Sequence, residues 1–424
     1  MEAQCFISVV LPVYNEAARI HAVLESLLQQ HSPGGLFTLD NLEIIIVDNN
    51  STDNSVALVQ AFADRHPLLR LHLLHETVQG VSSARKKGMD DAAQRARLRD
   101  ATSGLVRKHY ILSADADCTV DARWIDELVG TLITQRGDLC TCHYYYAAED
   151  FRERPRLYAE IEKTLRCRHV SFSLFGGFPD GKGFGIERQM YEKVGGIEIF
   201  YQLKNGDFVE HLSDDWDFGI KAIAAGARPV YAPRSRVKIN SRRVDNLLHE
   251  VIEGVAYGHR GTIIMRDVRP DSAMLTFVND ITPAQAQQAW HYSIKDYVPK
   301  NLILPVLLNP ALLRENAAVI DFFTPPVAEQ LFVRIHQMMQ EMSITDFLPI
   351  HSYKTPAFRL YFEFRHALFA ALRRAVGAEI GEPPPLPACL ARVPQADFNR
   401  FVWYYCEDRE SGEAHNYFAN GGVF

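Results

Sequence analysis

Acidic residues stand where chemistry can be done in three places along the 424-residue chain: Asp48, the pair Asp115 and Asp117, and the cluster Asp214, Asp215 and Asp217. Asp115 and Asp117 are two apart just past the apolar Tyr-Ile-Leu run at 110–112. Side chains at that spacing can converge on a hard divalent cation in an oxygen site, and such a cation would neutralise a diphosphate. The competing local role is a turn at Asp115 with Asp117 or Asp121 capping the next helix. Cys140, Cys142 and His143 could suggest a metal fragment, but alternate positions of a strand share a face, and buried thiols are the commoner outcome. The glycine-rich stretch 175–185 has no Walker pattern and reads as a mobile loop.

These residues need elements to hold them. Residues 6–11 are a continuous apolar run stopped by Pro12, as expected of a strand buried on both faces of a parallel sheet. Ile20, Val23, Leu24, Leu27 and Leu28 recur at helical steps within 16–29. The alternation continues with strands at 44–47, 69–74, 110–112 and 138–145 and helices at 53–65, 82–98 and 122–135. That order predicts a doubly wound α/β sheet, whose ligands bind at the carboxyl ends of the strands, where Asp48 and Asp115 fall. After residue 243 the period turns helical, with helices expected at 244–255, 283–293, 311–323, 327–342 and 356–376, giving two domains, 1–243 and 244–424.

Composition narrows the function classes. Apolar residues are 47% and charged residues 23%, which excludes intrinsic disorder and a disulfide-dense scaffold. The net charge of −7 argues against gripping nucleic acid or an anionic membrane through bulk charge. Seven scattered cysteines, never spaced C-x-x-C, point to a reducing cytoplasm. No signal peptide is expected, and the longest apolar stretch, 302–313, is interrupted by Pro305, Asn309 and Pro310, too short to span a bilayer.

Five motifs occur in order: Ile-Ser-Val-Val-Leu-Pro-Val-Tyr-Asn-Glu at 7–16, Glu-Ile-Ile-Ile-Val-Asp-Asn-Asn-Ser-Thr-Asp at 43–53, Gly-Val-Ser-Ser-Ala-Arg-Lys-Lys-Gly at 80–88, Ser-Ala-Asp-Ala-Asp at 113–117 and Tyr-Glu-Lys-Val-Gly-Gly at 191–196. Together they resemble the family 2 glycosyltransferases over residues 6–243, which implies the GT-A nucleotide-sugar fold. A nucleotidyltransferase would need a Gly-x-Gly-x-x-Arg loop where Pro-Val-Tyr-Asn-Glu stands. A non-catalytic nucleotide-sugar-binding or scaffold protein would keep the fold without turnover.

The resemblance implies a metal-dependent, inverting transfer of a sugar from a nucleoside-diphosphate sugar to a saccharide, lipid-linked or other hydroxyl acceptor. Pro12, Tyr14 and Glu16 would line the nucleotide pocket, and Asp48 would face the base. A carboxylate there accepts the N3–H of uracil or thymine and repels cytosine, favouring UDP or TDP, while guanine also offers an N–H on that edge. Arg85 would approach diphosphate oxygens or a base edge. Asp115 would lie by the ribose and metal and Asp117 would ligate Mn²⁺ or Mg²⁺. Asp215 aligns with the general base that takes the acceptor proton, with Asp214 standing where glutamate is commoner. Asp214, Trp216, Arg242 and Arg243 are further candidates for acceptor or diphosphate contacts. Where many members carry a metal-approaching histidine, residues 237–243 hold none, so no third protein ligand is named.

In the C-terminal half, the helix expected at 356–376 joins a Phe/Leu-rich face to Arg359, Arg365, Arg373 and Arg374. Core packing is the default for that face. A second copy of the chain, giving a homodimer, or the inner membrane face are the alternatives. Pro-rich 383–387 reads as a rigid connector, and Trp403, Tyr404 and Tyr405 as aromatic core.

Overall fold

A computed structural model of the protein describes residues 5–104, 106–204, 207–211, 214–242, 244, 280–347 and 354–383; for 200–211, 214, 216 and some positions of the C-terminal helices it describes the backbone only. The chain divides into two compact units. One comprises Met1–Tyr146 and Phe175–Asn240; the other comprises Ala147–Leu174 and Ser241–Phe424. Residues 147–174, kept with the N-terminal half in the sequence reading, therefore cluster with the C-terminal part.

The first unit is built on β1 (Cys5–Val13), β2 (Leu42–Asp48), β3 (Arg70–His75), β4 (Lys108–Ser113), β5 (Thr119–Val120), β6 (Leu139–Tyr145), β7 (Phe184–Glu187) and β10 (Pro229–Lys238). They form one sheet in the order β3-β2-β1-β4-β7-β6-β10-β5. β1, β2, β3 and β4 are mutually parallel, as are β6 and β10, while β7 runs antiparallel between β4 and β6. The mostly parallel α/β sheet expected from the sequence is present. β8 (Phe200–Lys204) and β9 (Asp207–His211) make a separate antiparallel pair.

The helices up to residue 224 are α1 (Ile20–Leu28), α2 (Ser55–Arg65), α3 (Val81–Ser103), α4 (Trp124–Thr134), α5 (Pro155–Phe175), α6 (Arg188–Lys193) and α7 (Asp214–Ala224), of which α5 belongs to the second unit. α3 lies close on the sheet at Gly88, where an added Cβ would come within 2.4 Å of Val10 and 2.9 Å of Val47. Every residue of β2 is buried, which explains its uninterrupted apolar pattern.

A buried polar cluster sits toward the amino ends of these strands. Ser8 Oγ donates to Glu43 at 2.5 Å and meets His109 Nε2 at 2.8 Å, and Arg99 binds both Glu43 oxygens at 3.0 Å. Burial works to raise the Glu43 pKa, but hydrogen bonds from His72, Arg99 and Ser8 prevail and hold it well below the usual carboxylate range. Burial and the Arg99 charge push His109 down to about 3. Cys140 and Cys142 are buried neighbours on β6, and burial raises both thiols, Cys142 to about 12. They are core residues, as expected.

In the second unit, Asp280 accepts the backbone N–H groups of Arg156 and Leu157 at 2.8 and 3.0 Å, capping α5 from more than 120 residues away. Further helices are α8 (Pro283–Val298), α9 (Leu304–Leu308), α10 (Leu312–Glu315), α11 (Ala317–Phe323), α12 (Pro325–Met342) and α13 (Lys354–Val376). The expected helix at 311–323 is two pieces, because Asn316 turns out of the helix and caps α11 through Ala318 and Val319. Leu360, Leu368, Phe369 and Leu372 of α13 are buried, so its apolar face is core. Arg359 pairs with Glu341, Arg373 with Glu382, and Arg365 and Arg374 bind backbone carbonyls. No helix among the described residues is long and apolar enough to cross a membrane. The helix expected at 244–255 falls outside the described residues except for Val244, and the 383–387 connector except for Pro383, while Trp403 to Tyr405 lie wholly outside.

Candidate active site

The strand order places β4 and β2 on opposite sides of β1, and the β1–β4 pairing ends at Val10 with Ser113. The chain leaves β1 toward one neighbour and returns to the other side, so a crevice opens at the carboxyl ends there. Several of the sequence-predicted residues stand at or just after these strand ends. Pro12 is the buried penultimate residue of β1, opposite Val47, and Val13 lies opposite Asp48. Tyr14 is half exposed at the strand's end. Glu16 pairs with Arg19 at 3.2 Å in the turn before α1.

That turn is shaped by short polar side chains. Asn15, at φ 54°, accepts the Thr52 and Asp53 backbone N–H groups at 2.8 and 3.3 Å. Ser51, Ser55 and Asp53 accept the N–H groups of Asn15, Glu16 and Ala17 in return. Burial raises the Asp53 pKa, yet the bonds from Ser55 and Ala17 win, and the carboxyl stays below its usual value. Asn49 Oδ1 accepts Gly80 N–H at 2.7 Å while its amide donates to Glu76 and Val78 carbonyls. One asparagine thus fixes the loop that delivers α3 and Arg85.

Asp48 is buried at the end of β2, accepting Ser51 N–H at 3.3 Å and facing His75 Nδ1 at 3.2 Å. Arg85, only 2% exposed, donates to Ser113 at 3.3 Å and to Asp115 at 2.9 Å. Asp115, Asp117 and Cys118 present ligand atoms all within 4.8 Å of one another, with Cys118 Sγ donating to Asp117 at 3.4 Å. Two carboxylates beside a buried thiol suit a hard cation through oxygen, with the thiol orienting Asp117.

Asp215 stands in the first turn of α7 and accepts Gly181 N–H at 2.6 Å. Gly181 is also where an added Cβ would lie 2.7 Å from Arg85 Nη2 and 2.8 Å from Asp115 Oδ1. The structure therefore brings Arg85, Asp115 and Asp215 to one glycine. The stretch 175–185 is not the mobile loop expected. It is mostly buried, ends in β7, and is tied down by Thr141 to Gly176 at 2.6 Å, Tyr144 to Asp180 at 3.2 Å and Cys142 to Gly183 at 3.0 Å. Asp214 and Trp216 lie beside Asp215 on α7, their side chains outside the described residues, as is Arg243. Arg242 belongs to the second unit. Lys86 pairs with Asp90 at 2.9 Å and Lys87 is exposed, as expected of a solvated face.

Asn15, Asn49, His75 and Gly181 escaped the sequence reading. The run of asparagine, serine and aspartate at 48–54 was the visible signal for Asn49. Gly181 was hidden among neighbouring glycines.

Residues 8–195 match the family model described as Glycosyl transferase family 2. The chain is 30% identical over 188 residues to the uncharacterized glycosyltransferase YibD of Escherichia coli, covering 44% of this chain and 46% of that one. It is 28% identical over 254 residues to the putative glycosyltransferase EpsH of Bacillus subtilis, covering 58% and 65%. The chain thus spans about half to two thirds of the length of these two relatives. Among solved structures, a mannosyltransferase from Pyrobaculum calidifontis in complex with GDP-Man and Mn²⁺ superposes with a TM-score of 0.39 at 18% identity, over 87% of this chain and 86% of that one.

Proposed function

With residues 8–195 forming a family 2 glycosyltransferase domain, we propose that this chain transfers a sugar from a nucleoside-diphosphate sugar to a hydroxyl acceptor, with inversion and with a divalent cation. The observation that carries the reading is the meeting of Arg85, Asp115 and Asp215 around Gly181 at the carboxyl ends of the parallel strands. Donor and acceptor chemistry need such a junction, because the acceptor oxygen must attack the anomeric carbon as the diphosphate leaves.

Asp48 would take the N3–H of uracil or thymine on its carboxylate; guanine offers a comparable N–H, and cytosine does not. Tyr14, half exposed at the crevice, supplies a flat face for base or sugar. Arg85 is already oriented by Ser113 and Asp115, so its guanidinium reaches diphosphate oxygens without reordering. Asp117 and Asp115 would hold Mn²⁺ or Mg²⁺, which when bound stabilises negative charge on the departing diphosphate. Asp215 would accept the acceptor proton at its carboxylate, which the Gly181 N–H orients in the first turn of α7.

The test is titration calorimetry with UDP, TDP, GDP and CDP, with and without Mn²⁺, on the wild-type chain and Asp117→Ala. Metal-dependent binding of a keto-base nucleotide that disappears in the variant supports the reading. Absence of metal-dependent binding for all four nucleotides overturns it.

A further inference from the structure

Asp215 and Gly219 are four residues apart and so lie one above the other on one face of α7. The segment 176–183 packs against both. Gly181 N–H binds Asp215 at 2.6 Å, and Gly219 leaves so little room that an added Cβ would sit 2.3 Å from Pro179 Cδ. The segment is anchored independently of α7. Thr141 donates to the Gly176 carbonyl and Cys142 to the Gly183 carbonyl, while Asp180 receives Tyr144 Oη and the Lys182 ammonium at 3.2 and 2.6 Å. Gly176 is itself pressed on the Pro229 backbone, 2.5 Å from a hypothetical Cβ, at φ +81°. On its far side Gly181 faces Arg85 Nη2 and Asp115 Oδ1, and Arg85 cannot swing aside freely, being buried and held by Ser113.

We infer that Gly181 is a positioning residue that couples the two halves of the proposed reaction: its N–H orients the Asp215 carboxylate, and its missing side chain lets the Arg85–Asp115 pair close against the same backbone. The inference rests on the reading of Asp215 as base and of Arg85 and Asp115 as donor-side groups. Segment 176–183 is a clamp with α7 on one side and the diphosphate-binding pair on the other. A displacement of Arg85 or Asp115 reaches Asp215 through one peptide unit, without passing through the core. Gly219 meets Pro179 one turn after Asp215, so the same segment contacts α7 at both positions.

The contact can be read without knowing the sugar or acceptor. With [¹⁵N]glycine-labelled full chain, the Gly181 amide is assigned by its disappearance in Gly181→Ala and followed in Asp215→Asn, Arg85→Gln and Gly219→Ala. A short bond to a carboxylate places the amide proton downfield. Asp215→Asn and Gly219→Ala should each move it upfield, Arg85→Gln should also shift it, and lowering the pH should titrate it in the wild type but not in Asp215→Asn. A Gly181 amide that ignores Asp215→Asn, or that responds to Asp215→Asn and ignores Arg85→Gln, overturns the coupling. Should Gly181→Ala fail to fold, selective ¹³C′ labelling of Asp180 assigns the same amide through its one-bond coupling. Calorimetry with UDP, TDP, GDP and CDP, with and without Mn²⁺, on the same wild-type sample decides the donor reading separately. Absence of metal-dependent binding for all four with the amide responses intact would discredit the glycosyltransfer reading and leave the clamp standing. Once a donor is known, Gly219→Ala should lower kcat about tenfold while leaving donor KM within about twofold, a split that general destabilisation does not produce.

Discussion

Asp215 and Asp48 ask for opposite experiments although both are carboxylates of the proposed site. If Asp215 removes the acceptor proton, Asp215→Asn should lower kcat by about 10²–10⁴ and leave nucleotide affinity near wild type, because a general base acts mainly in the transition state. Turnover followed by nucleotide release, alongside calorimetry, checks both halves; a variant that loses binding as well would assign Asp215 to the donor. Asp48→Asn should instead weaken UDP binding by roughly tenfold or more, the worth of a hydrogen bond to a charged group, and weaken CDP binding less. Equal losses for the two nucleotides would remove Asp48 from base recognition. The candidate residues could be picked out in the sequence because their types and their places after apolar runs are local facts. The contacts that orient them were not, since Gly181 N–H to Asp215 and His75 to Asp48 span 34 and 27 residues and leave no periodic trace.

Elements differ in how plainly they announce themselves. The buried strands β1 and β2 and the amphipathic helices α1 and α4 were readable because burial on both faces, or on one stripe, writes itself into the order of residues. β7 has four residues inside a glycine-rich stretch, and β10 carries Pro233 at a register shift between Ala232 and Arg236, so neither shows a clean period. α5 shows its amphipathic pattern weakly, and its cap, Asp280, is supplied from another part of the chain. α3 was recognised by its helical run but not by its tightest contact. Gly88→Ala should drive a methyl against Val10 and Val47 and cost about 1–3 kcal/mol, seen as a lower melting temperature with unchanged far-ultraviolet dichroism. A variant as stable as wild type would mean that α3 lifts off the sheet at little expense.

Among the described residues, the Ser8–Glu43–Arg99–His109 cluster makes stability sensitive to acid. His109 has a folded pKa of about 3, below its ordinary 6.5, so the unfolded chain takes up a proton first and stability falls as pH drops below about 6.5. Glu43 is held below its ordinary 4.5, so its contribution is present above that value and is lost as pH falls through it. Both act in the same direction. The melting temperature should therefore decline from pH 7 to pH 5, with a slope of up to about 1.4 kcal/mol per pH unit from one proton, and His109→Gln should flatten the decline in that window. An unchanged slope in the variant would place the acid sensitivity elsewhere.

The same cluster has a second effect, on how the strands find one another. Ser8 and Glu43 are register partners across β1 and β2, and His109 comes from β4 on the other side of β1. The apolar positions of these fully buried strands are nearly interchangeable, so greasy contacts alone would tolerate sliding by two residues. Sliding would part the buried Glu43 carboxylate from Ser8 and from the Arg99 guanidinium, which is far more costly than a mismatched methyl group. The ion cluster at the amino ends thus works as an alignment key for the central strands, and the residues at their carboxyl ends inherit their register from charges at the opposite end of the sheet.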